Sequence, residues 1–331
     1  MIVENTPIDT ISLTELLDPV RVGLEAMETR LREVSRDQHN MLTVAIEHLL
    51  DSGGKRVRPA VALLSSQMFN GDFKYAVALA SAVEMLHTAT LVHDDLIDGS
   101  LLRRGIPTLN ANWSPDSTVL TGDYLFARAA NFASQTDSVR VMNLFSETLM
   151  VIVNGEIKQK FSTAGRMSRN DYYGRIQAKT ASMFALAAEA GAVLGHASEV
   201  EIRAMRLFGR EVGMAFQIVD DVLDFVGSSD HIGKPVGSDL QQGLFTLPAL
   251  RYLEANPDDP VAQDVFNGHK TDQETVLQVV SAVRDSGAVK DAMDEARAYA
   301  RNGQRALDGL PNGEYLQSLF VMADYIVARD M

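Results

Sequence analysis

The sequence predicts an all-α protein on three observations. Apolar residues recur at helical spacing along nearly all of its 331 residues. Its 10 prolines and 23 glycines fall mostly at the ends of these periodic segments, where helices begin and end. No alternation of apolar and polar residues is long enough to predict a convincing strand, and no βαβ rhythm is present. Because no low-complexity linker divides the chain, we expect residues 1–331 to form one domain, a single large helical bundle.

The predicted helices follow one another along the chain, and local signals mark two of their starts. Asp18 and Pro19 look like an N-cap followed by proline at the first helical position. Ser198 with Glu201 fits a capping box. The predicted helices cover residues 12–34, 38–51, 59–69, 74–98, 118–135, 138–163, 169–194, 198–227, 238–254, 273–285, 287–308 and 313–328.

Two of these segments are predicted to be buried. Residues 74–98 are apolar on most sides, and residues 205–219 form a similar run within segment 198–227. A helix that is apolar all round belongs in the core. Each run nevertheless leads into aspartates near its C-terminal end, where the helix dipole favours cations instead. Such a local conflict is expected at a functional site.

Composition excludes several classes of protein. The chain is 46% hydrophobic and can therefore build a core, whereas its formal charge of −14 argues against nucleic-acid binding. The absence of cysteine excludes disulfides and thiolate metal sites, and it fits a reducing compartment. The acidic N-terminal segment does not read as a secretory signal or a transit peptide. Since no uninterrupted run of 18 apolar residues occurs either, we expect a cytoplasmic protein without a transmembrane segment.

One acidic motif is written twice in the chain. It occurs as Asp94-Asp95-Leu96-Ile97-Asp98 and again as Asp220-Asp221-Val222-Leu223-Asp224. The first and last aspartates of each copy share a helix face, where like charges destabilise the helix. One such cluster is often a solvated face, but two clusters inside apolar segments require a cation. Hard carboxylate oxygens suit Mg²⁺, which usually also binds phosphates of a substrate. The sequence therefore predicts a phosphorylated ligand held between two acidic walls.

Short basic segments accompany the acidic motifs. The loop 53–59 (GGKRVRP) combines glycines with lysine and arginines, which suits an anion, although alone it is more often a simple turn. Arg103 and Arg104 follow the first motif, and Lys234 follows the second. Adjacent arginines by themselves would be a surface salt-bridge patch. The repetition of an acidic cluster, a short loop and a base favours phosphate binding.

Four further polar residues are candidates, each with an ordinary structural explanation. His87 lies about two turns before Asp94 on the same face, where a core histidine is equally expected. Lys179 and Thr180 lie among small residues, where lysine usually extends to the surface. Gln217 is one turn before Asp221 and could be an ordinary hydrogen-bonding residue between helices.

In combination, these fragments resemble the trans-prenyltransferase (polyprenyl diphosphate synthase) family. The matching motifs are GGKRVRP, HTATLVHDDLID with LLRRGIPT, Lys179-Thr180, FQIVDDVLDF with GKPVGSD, and TLP, in the family's order and at its usual spacing. The resemblance runs from about residue 40 to the C-terminus. Asn154 departs from the acidic residue often found there, but Glu156 and Gln159 remain. The resemblance implies a bundle of the isoprenoid-synthase type with a central cavity, and a homodimer.

The resemblance also implies a role for each candidate residue. Mg²⁺, as three ions bound with an allylic diphosphate, would be coordinated by Asp94, Asp95, Asp98, Asp220, Asp221 and Asp224. The allylic diphosphate would also be held by Arg103, Lys179 and Lys234. The second substrate, isopentenyl diphosphate, would be bound by Lys55, Arg58, His87 and Arg104. Thr180 and Gln217 would lie near the allylic C1 and stabilise its positive charge.

The chemistry expected of such a site needs no protein nucleophile. The allylic C–O bond ionises when the charge of the departing diphosphate is neutralised by preorganised cations. The double bond of isopentenyl diphosphate then attacks the allylic cation, and a proton is lost. Shielding of that cation from water is consistent with acids at the mouth of an apolar bundle.

Product length is predicted from the residues that precede the first motif. In the family an aromatic side chain one turn before it would stop growth early, but this chain has Ala89 and Thr90 there. Two turns before it lie Met85 and Leu86, and methionine is a deformable barrier. The opposing wall is expected to include Met150, Val151 and Val153. We therefore expect a long all-trans product, C30 to C50, although small residues at 89 and 90 could equally serve close helix packing.

Three alternatives compete with this prediction. A geranylgeranyl diphosphate synthase, with a shorter product, is the strongest. A class I terpene cyclase would also use an aspartate-rich helix and Mg²⁺, but it needs no second substrate site and does not account for GGKRVRP, His87 and Arg104. A non-catalytic partner subunit would be expected to have lost an acidic cluster or the basic loop, and both are present here.

Overall fold

The computed structural model describes residues 12–36, 39–103, 105–161, 168–226, 236–269 and 272–329, and within them the protein is almost entirely helical. The α-helices are α1 (Leu13–Leu17), α2 (Arg21–Glu33), α3 (Asn40–Asp51), α4 (Val57–Met68), α5 (Phe73–Ile97), α6 (Leu109–Asn112), α7 (Pro115–Ser134), α8 (Val139–Phe161), α9 (Arg169–Ile176), α10 (Ser182–Leu194), α11 (Glu199–Val226), α12 (Ser238–Gln241), α13 (Leu247–Ala255), α14 (Pro260–Phe266), α15 (Gln273–Asp285), α16 (Ala288–Ala306) and α17 (Glu314–Ala328). The predicted all-α fold is confirmed.

The bundle is built around α5 and α11, the two helices that carry the acidic motifs. Helix α5 packs against α2, α4, α7 and α10, and helix α11 packs against α10, α16 and α17. Both helices are buried along most of their length, as predicted from their apolar sequences. Helix α10 contacts both of them and so joins the two helices that carry the motifs.

Small residues allow α10 and α11 to approach closely. A Cβ at Gly213 of α11 would lie 2.6 Å from the Cα of Ala181, and one at Gly209 would lie 2.3 Å from the carbonyl oxygen of Phe184. Neither glycine could therefore gain a side chain without separating the helices. This close approach brings the residues that precede α10 against the second acidic motif.

The helix starts differ from prediction where proline or a cap decides them. Segment 12–34 is divided by a 3₁₀ turn, Asp18–Val20, so that Asp18 accepts a hydrogen bond from Arg21 and does not cap α2. Helix α4 begins at Val57, so Pro59 lies in its first turn. Proline is tolerated there because the N–H groups of the first turn make no hydrogen bond within the helix. Helix α7 begins at Pro115 because Ser114 caps it. The capping box of Ser198 and Glu201 is confirmed.

Three further differences concern elements that the periodicity did not separate or did not predict. Segment 238–254 is two helices, α12 and α13, because Gly243 adopts a φ of 72° between them. Helix α14, capped by Asp259, was not predicted. A two-residue antiparallel hairpin also forms, with β1 (Leu102–Arg103) pairing with β2 (Ile106–Pro107). It is too short to produce a recognisable alternation.

A π-helical turn interrupts the long helical segment predicted for residues 169–194. It spans Gln177–Ala181, between α9 and α10. Wider turns of this kind change the rotation per residue, and they are frequent at functional sites. Here the turn contains both Lys179 and Thr180.

Among the described residues, one helix is long and apolar enough to cross a bilayer by length and composition. This is α5, and its most apolar stretch is 78% buried inside the protein. A buried core helix meets the same criteria.

Candidate active site

The first acidic motif ends α5 inside the bundle. Asp94 and Asp95 are each only 7% exposed, whereas Asp98 is exposed and forms the C-cap of the helix. Burial of α5 among its neighbours thus removes two of the three carboxylates from water. Such carboxylates require partners, because an unpaired buried charge is costly.

Lys179 is the partner of Asp94. Its Nζ lies 2.9 Å from Asp94 Oδ2 and 3.1 Å from Glu156 Oε1 of α8. Burial raises the pKa of the Asp94 carboxyl, although Lys179 opposes that shift. For Lys179, burial lowers the pKa, but the two carboxylates outweigh it and the pKa is raised. The lysine is therefore a charged group held at the first motif, and because its side chain is 35% exposed it also reaches the surface, as expected.

Arg103 is the partner of Asp95. Its Nε lies 3.0 Å from Asp95 Oδ1, and its Nη2 lies 2.8 Å from the same oxygen. The hairpin that carries Arg103 is anchored to α3, since His48 Nε2 lies 2.7 Å from the carbonyl oxygen of Pro107. Gly105 turns the hairpin with a φ of 76°. Arg104, the next predicted ligand, lies outside the described residues.

The second acidic motif is divided among three different partners. Asp220 accepts a hydrogen bond of 2.7 Å from Arg329 Nη2, and the Arg329 guanidinium also lies 3.9 Å from the centre of the Phe216 ring. Asp224 accepts from Ser238 Oγ at 2.8 Å and so holds the start of α12. Lys234, predicted to follow this motif at the diphosphate, lies outside the described residues.

The buried Asp221 heads a chain of hydrogen bonds. It accepts from Tyr172 OH at 2.7 Å and from Gln217 Nε2 at 2.9 Å. Thr180 Oγ1 in turn donates to Gln217 Oε1 at 2.7 Å. Burial raises the pKa of Asp221 to about 6. The chain fixes which end of the Gln217 amide faces Thr180, so Asp221 orients the two residues predicted to lie near the reacting carbon.

The π turn connects the two motifs. Lys179 reaches Asp94 and Thr180 reaches Gln217, although the two residues are adjacent in sequence. The structure thus brings both acidic motifs to one short segment of backbone. This is the juxtaposition that the twin motif predicted.

The predicted isopentenyl diphosphate residues form a second group beside the first. Arg58 Nη1 lies 3.3 Å from His87 Nε2. The Arg58 guanidinium lies 4.8 Å from the ring centre of Phe184 and 5.3 Å from that of Phe216. Lys55 Nζ lies 6.0 Å from the ring centre of Tyr325 in α17. Because Phe216 directly precedes Gln217, this group borders the second motif.

The acidic residues are suited to Mg²⁺ by their chemistry but do not form a cage for it. In the described part of the chain, no group of three or more His, Cys, Asp or Glu side chains is arranged to hold a metal. Each buried aspartate of the motifs instead has a cation or a hydrogen-bond donor from elsewhere in the fold. Carboxylates arranged in this way fit a metal ion that binds through one or two of them and completes its coordination shell with water and substrate phosphates.

The predicted chain-length residues lie in the core of the bundle. Ala89, Met85 and Leu86 are buried, as is Thr90, whose hydroxyl donates to the His87 carbonyl oxygen at 2.7 Å. On α8, the residues predicted to form the opposing wall are exposed in this chain: Met150 to 57%, Val151 to 45% and Val153 to 44%. The buried residue of that stretch is Ile152. Their assignment to the product tunnel stays a prediction.

Three residues at the site were missed by sequence reasoning. Tyr172 precedes Thr180 by eight residues and belongs to no motif, and Arg329 lies far along the chain from Asp220. Neither spacing carries a local signal. Arg56 stands inside GGKRVRP, but the sequence alone does not distinguish it from the neighbouring bases.

Two adjacent tyrosines give a matched test of the hydrogen-bond chain. We expect Tyr172→Phe to lower kcat about tenfold, equivalent to about 1.4 kcal/mol, because Asp221 loses a buried donor and Gln217 its fixed orientation. Tyr173 donates to Glu295 at 2.5 Å and to neither motif, and phenylalanine keeps its ring against Tyr172, so Tyr173→Phe should keep kcat within about twofold. Steady-state kinetics compares them, and equal losses in both variants would contradict the assignment.

Comparison with known proteins gives the family. The polyprenyl synthetase family model matches residues 39–283. The chain is 37% identical over 309 residues to heptaprenyl diphosphate synthase component 2 of Geobacillus stearothermophilus, covering 93% of this chain and 96% of that protein. It is 35% identical over 310 residues to the all-trans-nonaprenyl-diphosphate synthase (geranyl-diphosphate specific) of Rhodobacter capsulatus, covering 92% and 94%.

A solved structure agrees over the whole fold. The polyprenyl synthase of Caulobacter crescentus, crystallised with calcium and isoprenyl diphosphate, superposes with a TM-score of 0.91 at 32% identity, covering 97% of this chain and 98% of that one. The motifs, the helical bundle and these similarities agree with one another. The chain belongs to the polyprenyl synthetase family.

Proposed function

We propose that this protein is a Mg²⁺-dependent trans-prenyltransferase that adds isopentenyl diphosphate units head-to-tail to an allylic diphosphate. The observation that carries the proposal is the meeting of both acidic motifs at the π turn, with Lys179 at Asp94 and Thr180 at Gln217. A separate basic and aromatic group around Arg58 lies beside it, as a second diphosphate substrate would need. A terpene cyclase has no use for that group.

The ion pairs at the first motif suggest how the allylic diphosphate enters. Arg103 is paired with Asp95, and Lys179 is paired with Asp94. Both side chains are good hydrogen-bond donors to phosphate oxygens. An incoming diphosphate would draw Lys179 from Asp94 and leave that carboxylate available, while Arg103 would bind the diphosphate from its place beside Asp95. Mg²⁺, as three ions held by Asp94, Asp98, Asp220 and Asp224 together with the diphosphate, would supply neutralisation of the leaving-group charge. Asp95 and Asp221 would mainly hold Arg103 and Gln217.

The reacting carbon would lie at the π turn. Thr180 Oγ1 and Gln217 Oε1 are 2.7 Å apart and carry partial negative charge that can face an allylic cation. Around them the buried walls of α5, α10 and α11 exclude water, which would otherwise capture the cation. The isopentenyl diphosphate would be held by Lys55, Arg58, His87 and Arg104, and its double bond would attack from that side.

We further propose a long product, C30 to C50. Small side chains at Ala89 and Thr90 and deformable Met85 leave no aromatic floor near Asp94. The relatives named for heptaprenyl and nonaprenyl products support this length over a geranylgeranyl product.

A homodimer in the cytoplasm is the assembly we propose. Helices α7 and α8 expose large apolar side chains, among them Leu120, Val139 and Phe161, which an isolated soluble chain would not favour. The name of the Geobacillus relative indicates an enzyme of more than one component, so a second, different subunit is the competing occupant. The molecular mass of the purified protein in solution distinguishes a dimer of this chain from a monomer awaiting another subunit.

The test of the function is a product analysis with the purified protein. Incubation with isopentenyl diphosphate, farnesyl diphosphate and Mg²⁺ should give polyprenyl diphosphates of C30 to C50, sized by chromatography after dephosphorylation. Chelation with EDTA should stop the reaction, and added Mg²⁺ should restore it. No elongation of farnesyl, geranyl or geranylgeranyl diphosphate would refute the enzymatic role of the isolated chain. Products ending at C20 would establish the geranylgeranyl alternative.

A further inference from the structure

Arg56 has an unusual backbone for its position in the basic loop. It stands between Lys55 and Arg58, and its φ of 49° and ψ of 29° place it in the left-handed region. Few residues other than glycine adopt this conformation, because Cβ meets the carbonyl oxygen. It forms the N-cap of α4 without a capping side-chain hydrogen bond. Something other than local preference must hold the chain there.

The Arg56 side chain supplies that hold. Its Nη1 lies 2.5 Å from Glu84 Oε1 of α5, and its Nε lies 3.3 Å from Glu28 Oε1 of α2. Its Nη2 donates to the carbonyl oxygen of Leu50 in α3 at 3.5 Å. The side chain is 15% exposed and that of Glu84 only 7%, so this pair is largely removed from solvent. One guanidinium thus connects the loop to three helices.

The anchor point on α5 lies next to the partner of Arg58. Glu84 precedes His87 by three residues, so the two share a face of the helix. Arg58 contacts His87 through Nη1 at 3.3 Å, while Arg56 contacts Glu84. The two arginines therefore hold the loop in one register along α5. Lys55, on the other side of Arg56, is directed towards Tyr325 in α17.

We propose that Arg56 is a positioning residue for isopentenyl diphosphate: it touches no substrate, but it fixes the loop so that Lys55 and Arg58 converge on the diphosphate. The proposal rests on the function proposed above. A role in stability alone accounts poorly for the pair, because a buried ion pair is often no more stabilising than an apolar pair of similar size. It also leaves unexplained why the guanidinium holds a residue with left-handed backbone between Lys55 and Arg58, the two basic side chains proposed to bind the substrate.

The double variant Arg56→Met with Glu84→Met separates the two roles. An apolar pair can restore packing, so the melting temperature should stay within a few degrees of the wild type. Positioning is not restored, and the KM for isopentenyl diphosphate should rise about 10- to 100-fold. The KM for farnesyl diphosphate and kcat at saturating isopentenyl diphosphate should stay within about threefold. A wild-type KM for isopentenyl diphosphate in this variant would overturn the proposal.

A conservative variant covers the case in which the double variant does not fold. Arg56→Lys keeps the charge but loses the forked geometry, and it should raise the same KM about fivefold or more. An unchanged value in folded Arg56→Lys would also overturn the proposal. Arg32→Ala is the matched control, since its pair with Asp51 is exposed on the same side of the bundle and should leave both KM values unchanged.

Failure of the site assignment itself is distinguishable from failure of this inference. Arg58→Ala should raise the KM for isopentenyl diphosphate because it removes a direct ligand. If Arg58→Ala leaves that KM unchanged, the loop is not the isopentenyl diphosphate site and the proposed function loses that part. If Arg58→Ala raises it and the Arg56 variants do not, only the positioning role is wrong.

Discussion

Asp94→Asn is expected to lower kcat about 10³-fold, the equivalent of about 4 kcal/mol in the barrier. The substitution keeps the shape of the side chain and removes the charge that would hold Mg²⁺ with the allylic diphosphate. It also leaves Lys179 paired only with Glu156, 3.1 Å away, when the lysine, as proposed, turns to the diphosphate. Single-turnover kinetics with farnesyl diphosphate measures the loss at the chemical step.

Loss of folding does not account for that result. Burial raises the pKa of Asp94, which means that the fold disfavours its ionised form relative to the unfolded chain. A neutral asparagine removes this penalty but also takes one of its two carboxylate partners from Lys179, which keeps Glu156, so the melting temperature should stay within a few degrees of the wild type. The matched control is Asp116→Asn on the exposed start of α7, which should keep wild-type kcat. An Asp94→Asn enzyme within about tenfold of the wild type would contradict the role of the first motif.

Ala89→Phe is expected to end chain growth early, with products near C15 to C20 replacing C30 to C50. Ala89 lies five residues before Asp94, about 7.5 Å along α5, which is roughly the length of one isoprene unit or a little more. A phenyl ring there would close the apolar space that, in the proposed tunnel, the growing chain would enter. Since Ala89 is fully buried, overpacking should also cost about 1–3 kcal/mol of stability. Chromatographic sizing of the products makes the measurement.

A phenylalanine placed nearer the N-terminus of α5, farther from Asp94, gives the comparison. Ala82 is also fully buried and lies about 10 Å beyond Ala89 on the helix, so Ala82→Phe should stop growth at an intermediate length. The overpacking cost is similar in both variants, so a difference in product length reports position in the tunnel. Identical, wild-type product lengths in both would show that the chain does not grow along this part of α5.

The agreement between sequence and structure is greatest where the pattern is long and local. The apolar runs of α5 and α11 predicted two buried helices, and both helices are buried along most of their length. Boundaries were less certain where proline or glycine decided them, as at Val57 and Gly243. These boundaries depend on which partners the unpaired backbone N–H and C=O groups of the first or last turn find, and the spacing of apolar residues does not show this.

The candidate site was predictable only to the level of residue type. Each aspartate was a candidate ligand, but the sequence did not indicate which residue each aspartate contacts in the fold. The sequence predicted that Lys179 extends to the surface, and its side chain is 35% exposed, but the pairing of its Nζ with Asp94 and Glu156 was not predictable. Tyr172 and Arg329 reach the second motif from 49 and 109 residues away, distances at which no spacing rule applies.

The sequence by itself determined the helical class, the two acidic motifs, the basic loop and the small residues before Asp94, because these depend on residue identity and short spacing. Only the tertiary structure decided which charges are paired. Close approach of α10 to α11 at Gly213 and the π turn beside it place Lys179 at the first motif and Thr180 at Gln217, one turn before Asp221 of the second. Burial then makes each unpaired charge costly, so the fold selects partners that are distant in the chain.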